Sequence, residues 1–216
     1  MLEVHPVHKS IHGWRDFLLH LLTITIGLLI ALSLEGCVEW AHRRHLVHEA
    51  ERSLQVEIET NATGLKETAA DILNQRKILT ADVAVLKQII KDRKPPKDSH
   101  MEITFHIRGF DNLSWKTAQS TGALAYMSYS KAKEFAEIYD MQEQTDVAQH
   151  QAARDAILSL APFINADDKD PDPTGGDAVS IKRNIEILQG QLILLDSLVA
   201  GLDGKYKKFL AAHPDE

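Results

Sequence analysis

The chain has 216 residues, 44% of them apolar and 25% charged, the proportions of a folded protein rather than a disordered one. A net charge of −7 leaves no basic surplus for nucleic acid, and a single cysteine excludes an internal disulfide framework and a cysteine-based zinc site. Aromatic residues make up only 6%, Gly and Pro number 11 and 7, and the dominance of Leu, Ile, Ala, Glu, Lys and Gln favours helix.

After a tail over residues 1–16, residues 17–34 read FLLHLLTITIGLLIALSL, with His20 the lone titratable group. As a helix this run rises ~27 Å, near the ~30 Å of a hydrocarbon core. Trp14 precedes it and Trp40 follows it. They would lie ~39 Å apart on a helix, the separation of two headgroup-level anchors. Residues 17–40 are therefore predicted to form a transmembrane helix. Within it, Thr23, Gly27 and Ala31 recur every four residues, a small-residue ridge that would let a second helix approach closely.

Leu34-Glu35-Gly36-Cys37 stands where a bacterial lipoprotein would be cut. The apolar run exceeds the ~7–15 residues of a secretory core. Glu35 is out of place beside a cleaved bond, and no Ser/Gly tether follows Cys37. Instead VEWAHRRHLVHEAERSLQVEIE continues as helix, with Glu39 and Arg43 spaced for ion pairing. The segment reads as a retained span. Lys9 and Arg15 before it, against Arg43, Arg44 and Arg52 after it, leave its orientation undetermined.

Residues 41–94 are predicted to be one long amphipathic helix. From Val47, a 4-3 rhythm runs through Glu51, Leu54, Ile58, Ala62, Leu65, Ala69, Ile72, Arg76, Leu79, Val83 and Leu86 to Ile90. Glu51 and Arg76 are its polar exceptions, and Pro95-Pro96 ends it. Residues 95–164 hold a helical segment with a short extended stretch. Met101 to Phe110 alternates as a strand would, but with no second strand evident an extended segment or helix start fits as well. Trp115, Ala118 and Leu124 are expected to face a core, Gly122 to mark a turn or close contact, and Ser130 to cap the next helix. Phe135, Ile138, Ala148, Ala152, Ala156 and Leu160 give that helix an apolar face.

Residues 165–177 form a polar loop whose acids lack the ligand order of a calcium loop. Over 178–212, Ile181, Ile185, Leu188, Leu192, Leu195, Val199, Leu202, Tyr206 and Phe209 hold 4-3 spacing without exception. Such a seam must be buried against another helix, with that over 41–94 as the natural partner. The expected fold class is all-α: a transmembrane helix continuing into a long helix, packed in an antiparallel helical bundle. Periodicity leaves open whether the seams close within one chain or between chains.

Chemistry is sparse. His42, His45 and Glu49 fall within two helical turns and offer a His/His/Glu metal site, against the alternative of histidines solvated at a membrane surface. His5, His8 and His12 form a similar group in the tail. Glu57 and Glu59, two residues apart, do not face each other. No nucleophile elbow, phosphate loop or metalloprotease motif is present, so no catalytic residue is nominated and no cofactor is implied.

IGLLIALSLEGCVEW, RSLQVEIETN and SWKTAQSTGALAYMS together resemble a group of uncharacterised bacterial single-span membrane proteins. The matching residues are Gly27 to Leu32, Trp40, Leu54, Glu57, Asn61, Trp115, Gly122 and Tyr139, short motifs spread over residues 17–140. The chain departs from the pattern at LEGCVEW, where a polar, Asn-rich exit is the rule. The resemblance implies membrane anchoring and a shared architecture, and it carries no activity.

The expected function is that of a non-enzymatic, single-pass protein of a bacterial inner membrane. Its helical domain would mediate self-assembly or bind a partner membrane protein, with the lipid bilayer as its other partner. The alternative is a membrane-anchored sensor that binds a small ligand or metal. A membrane hydrolase would need a nucleophile paired with a base, and no such spacing is readable.

Overall fold

The two 4-3 rhythms and the apolar face from Phe135 to Leu160 become three long helices. The computed structural model describes residues 13–94, 96, 101–103, 105–164 and 175–214. They form α1 (Trp14–Asp92), α2 (Leu113–Ser120), α3 (Ala123–Tyr126), α4 (Tyr129–Ile164) and α5 (Gly175–Ala212), with no strand among the described residues. The chain divides into two units, Met1–Glu49 and Ala50–Glu216. The tail histidines and residues 165–174 of the polar loop lie outside the described residues.

In the first unit, residues 14–49 of α1 carry the apolar run, with 0% of its most apolar window buried. The hydroxyls of Thr23, Thr25 and Ser33 donate to the carbonyls of Leu19, Leu21 and Leu29 at 2.8, 2.8 and 2.7 Å. These three hydroxyls are thereby satisfied within the helix, as they would have to be in a hydrocarbon environment. The helix passes through Cys37 without a break, and Arg43 pairs with Glu39 one turn back. By length and composition, two helices could cross a membrane: α1, and Gly176–Ala212, of whose window 33% is buried.

In the second unit, α5 is the apolar spine. Ile181, Ile185, Leu188, Leu192, Leu195, Val199, Leu202, Tyr206 and Phe209 are all buried within this one chain. α4 runs antiparallel to it: Gln142 Nε2 donates to Tyr206 Oη at 2.8 Å, and Asn184 Nδ2 to the Leu158 carbonyl at 3.1 Å. α1 is also antiparallel to α5, through Arg76–Asp196 at 2.9 Å and Gln55 Nε2 to the His213 carbonyl at 3.2 Å. α1 and α4 are therefore parallel, as the Lys131–Glu51 pair (2.9 Å) and the Tyr139–Glu57 bond (2.6 Å) require. Parallel helices need a return connection, and residues 93–128 supply it. α1 stops at Arg93, whose φ of 57° is left-handed and whose N–H closes on the Ile89 carbonyl at 2.9 Å.

The buried face of α1 differs from the expected one. Leu54, Ile58, Asn61, Leu65, Thr68, Ile72, Gln75, Leu79, Asp82, Leu86 and Ile89 hold 4-3 spacing, and all are buried. One row (Ile58, Leu65, Ile72, Leu79, Leu86) is the row read from the sequence. The second is polar through its middle. Ala62, Ala69, Arg76 and Ile90, read as the second row, are only half-buried, although Val83 is buried. Pattern reading counts a polar side chain as surface, and here four of them turn inward. α4 does the same, burying Gln142, Thr145, Gln149, Asp155 and Ser159 beside Phe135, Ile138, Ala148, Ala152 and Ala156. Leu160 is half-buried, and the Ser128 hydroxyl rather than Ser130 receives the Lys131 N–H (3.4 Å) at the start of α4.

Gln75 is 7% exposed and its Nε2 meets no hydrogen-bond partner among the described residues. Gln75→Leu should raise the unfolding free energy of the full chain by about 1 kcal/mol in chemical denaturation. Leu192→Ala, in the α5 seam, should lower it by about 2–5 kcal/mol. Equal effects of the same sign would contradict the division into a polar and an apolar seam.

Candidate functional site

A lone extended segment has no neighbouring strand, so its backbone groups need other partners. Residues 105–112 obtain them from two side-chain amides. Asn61 of α1 donates to the Asp111 carbonyl at 2.7 Å and accepts the Asp111 N–H at 2.9 Å. Gln149 of α4 donates to the Arg108 carbonyl and accepts the Arg108 N–H, both at 3.1 Å. Each amide thus replaces one rung of a sheet. The Arg108 guanidinium pairs with Glu67, and lies 3.9 Å from Asp71.

The segment leads into α2, whose N-cap residue Asn112 makes no side-chain cap bond. The cap comes instead from Glu57 on α1. Its carboxylate accepts the Ser114 N–H at 2.7 Å and the Trp115 N–H at 3.4 Å, at the positions a capping side chain serves. A negative charge there also meets the positive end of the helix dipole. The same carboxylate accepts the Tyr139 hydroxyl at 2.6 Å, and the Tyr139 ring stacks on Trp115 with centroids 4.9 Å apart and planes at 8°. One carboxylate therefore ties α1, α2 and α4 together. Gly122, with φ of 75°, turns the chain from α2 into α3.

Electrostatics at this junction favour neutral forms. Burial, the Glu57 hydrogen bond and its charge push the Tyr139 hydroxyl far above the usual phenol range. Burial raises Tyr206 as well, opposed by the Gln142 bond and assisted by the charges of Asp146 and Glu57. Burial also raises the Asp146 carboxyl, against the opposing effects of His150 and a hydrogen bond from the Phe110 backbone.

Between α2 and α4 lies a cleft of about 470 Å³, within the size range of small-molecule sites. Trp115 and Tyr139 border it, as do Gln142 and Asp146, with Lys116, Asp140 and Glu143 among its other residues. These groups can hold a ligand by hydrogen bonds, charge and an aromatic surface. A second cavity, beneath Phe105 and His106, has about 20 Å³ and is too small for any ligand larger than water.

The residues singled out from the sequence lie elsewhere. His45 Nε2 and Glu49 Oε2 are 4.0 Å apart with side chains 75% and 70% exposed. His42 is not brought to them, and no group of three metal-binding side chains occurs among the described residues. Trp14 and Trp40 are exposed, the latter beneath the Arg44 guanidinium at 5.4 Å from the ring centre. Thr23, Gly27 and Ala31 are exposed on α1. Ile185, Leu188, Leu192, Leu195, Val199 and Leu202 are buried in the bundle. Among residues unused by the motif search, Glu57, Asn61, Trp115 and Tyr139 converge on one junction, and all four carried the family resemblance. Gln142 and Gln149 had no such signal. No family model, curated protein or solved structure matches the chain.

Two outcomes are expected here. In a double-mutant cycle, Glu57→Gln and Tyr139→Phe should show about 1–2 kcal/mol of coupling by denaturation, and additive effects would remove the shared bond. Asp146 titrates above its ordinary 3.8 in the folded state, so its ionised form costs stability once pH rises through that window. Asp146→Asn should therefore stabilise the full chain at neutral pH, with the gain vanishing below pH 3.8, where both states hold the proton. A gain independent of pH would contradict this.

Proposed function

We propose that the protein is a non-enzymatic, single-pass protein of a bacterial inner membrane, and that its second unit binds a small ligand in the α2–α4 cleft. What carries the reading is the cleft itself, a concave site of about 470 Å³ walled by a helix that Glu57 holds in place. The exposed apolar run of α1, with its hydroxyls bonded inward, supports the membrane tether. Burial of the α5 seam within one chain removes the need for a second chain to cover it.

Assembly with a second copy or another membrane protein is a second reading, favoured by two exposed features. The Thr23–Gly27–Ala31 ridge has nothing within 4 Å of the site of a Gly27 Cβ. A groove of about 600 Å³ between α4 and α5 is lined by Val147, Leu194 and Leu198.

The membrane-extracted full chain should gain thermal stability from members of a chemically diverse small-molecule panel, and those members should perturb Trp115 fluorescence in a Trp14→Phe/Trp40→Phe background. A panel in which nothing binds would end the ligand-site reading. For the assembly reading, Gly27→Leu should lower the native mass if the ridge pairs two spans, and Leu194→Glu should do so if the groove is used. A native mass unchanged by both would leave the assembly reading without support.

A further inference from the structure

We propose that the α4–α5 groove docks on the same groove of a second copy of this chain, with the two copies antiparallel, an inference that rests on the assembly reading. The first observation is an apolar face outside the seam that packs the bundle. In the groove, Val147 of α4 stands with Leu194 and Leu198 of α5. Helical spacing continues each row on the same face, three turns on to Leu158 in α4 and two turns back to Ile187 in α5. Val147, Leu158, Ile187 and Leu194 are exposed, and Leu198 is half-buried. α4 and α5 are antiparallel, with Lys205 paired to Glu137 at 3.1 Å and Asn184 Nδ2 bonded to the Leu158 carbonyl at 3.1 Å. Leu158 and Ile187 therefore share one end of the face, and Val147 and Leu198 share the other. An exposed apolar face built from two helices marks an interaction surface.

The second observation is the order of charge along that face. Asp140 and Glu143 line the groove at the Val147 end. Arg154 shares the α4 face of Val147 and Leu158, and Arg183 lies one turn beyond Ile187 on α5, so both stand at the Leu158 end. All four side chains are at exposed positions. Glu143, Arg154 and Arg183 form no ion pair among the described residues, and Asp140 is bonded to the Gln144 amide at 2.7 Å rather than to a cation. Nearby Glu137 is already paired with Lys205 and Lys133. The face thus runs from acid through apolar to base. Turned end for end, it complements itself. A two-fold axis passing between Val147 and Gln151 sets Asp140 and Glu143 of each copy opposite Arg154 and Arg183 of the other, and lays the two apolar faces together. Parallel copies would instead oppose acid to acid and base to base. The apolar face supplies affinity, and the exposed charges, each worth little alone, select the direction.

A charge swap in the detergent-solubilised full chain tests both the partner and its direction, with the dimer dissociation constant read by sedimentation. Glu143→Arg and Arg154→Glu should each weaken the dimer at least about fivefold, and the double variant should return it to within about twofold of the original. Direction is read separately by oxidative cross-linking in a Cys37→Ser background. Glu143→Cys chains mixed with Arg154→Cys chains should form a mixed disulfide dimer, and neither variant alone should cross-link. Cross-linking of each variant with itself, or a double variant no better than the single ones, overturns the antiparallel pairing. A dimer indifferent to these changes and to Leu194→Glu, yet lost in Gly27→Leu, overturns the groove as its interface and leaves the assembly reading standing. A complex with a different protein that Leu194→Glu disrupts overturns the second copy as occupant. A chain that is monomeric at every concentration, and alone when extracted from its own membrane, ends this inference and the assembly reading together.

Discussion

Glu57 holds one carboxylate where three elements meet, and each of its bonds replaces something the local sequence lacks. α2 is eight residues long and has no cap of its own, so its first turn depends on the two oxygens that Glu57 provides. Tyr139 is buried and needs an acceptor for its hydroxyl, which the same carboxylate supplies. A carboxylate buried to this degree is tolerable only with such a set of donors around it. Its placement fixes the depth of α2 against α4, and so the shape of the cleft between them.

The core is divided by polarity. α5 is apolar at every seam position, and a uniform seam can slide by a heptad with little change in burial. α1 and α4 limit that freedom, because three of their buried amides have specific partners on other elements. Gln142 meets Tyr206, Asn61 meets Asp111, and Gln149 meets Arg108. Sliding either helix would strand several of these groups at once. The apolar helix drives association, and the mixed helices select one register from those the apolar contacts allow.

The helices and the α5 seam were legible because a 4-3 repeat of Leu, Ile and Val has no other good reading. Half of the α1 seam was legible for the same reason. Asn61, Thr68, Gln75 and Asp82 were not, because hydropathy treats a polar residue as solvated and takes the nearest apolar neighbour in its place. The extended stretch before α2 was readable as extended, but not its partners, since a side-chain amide that completes a backbone ladder has no periodic signature. Glu57 and Tyr139 lie 82 residues apart, and their pairing depends on a parallel arrangement of α1 and α4 that no local pattern encodes. Trp115 was readable as core-facing and Glu57 was weighed only against Glu59, while the four junction residues stood together only as members of a resemblance, without a stated reason for belonging together.

The polar middle of the α1 seam also bears on the order in which the chain is made. α1 leaves the ribosome complete while α4 and α5 are still unmade. A continuous apolar stripe of that length would be an adhesive surface for any other nascent chain. Asn61, Thr68 and Gln75 break the stripe at regular intervals and keep the waiting helix wettable. The fully apolar seam belongs to α5, which is synthesised after α1 and α4, when both of its partners are already present to cover it.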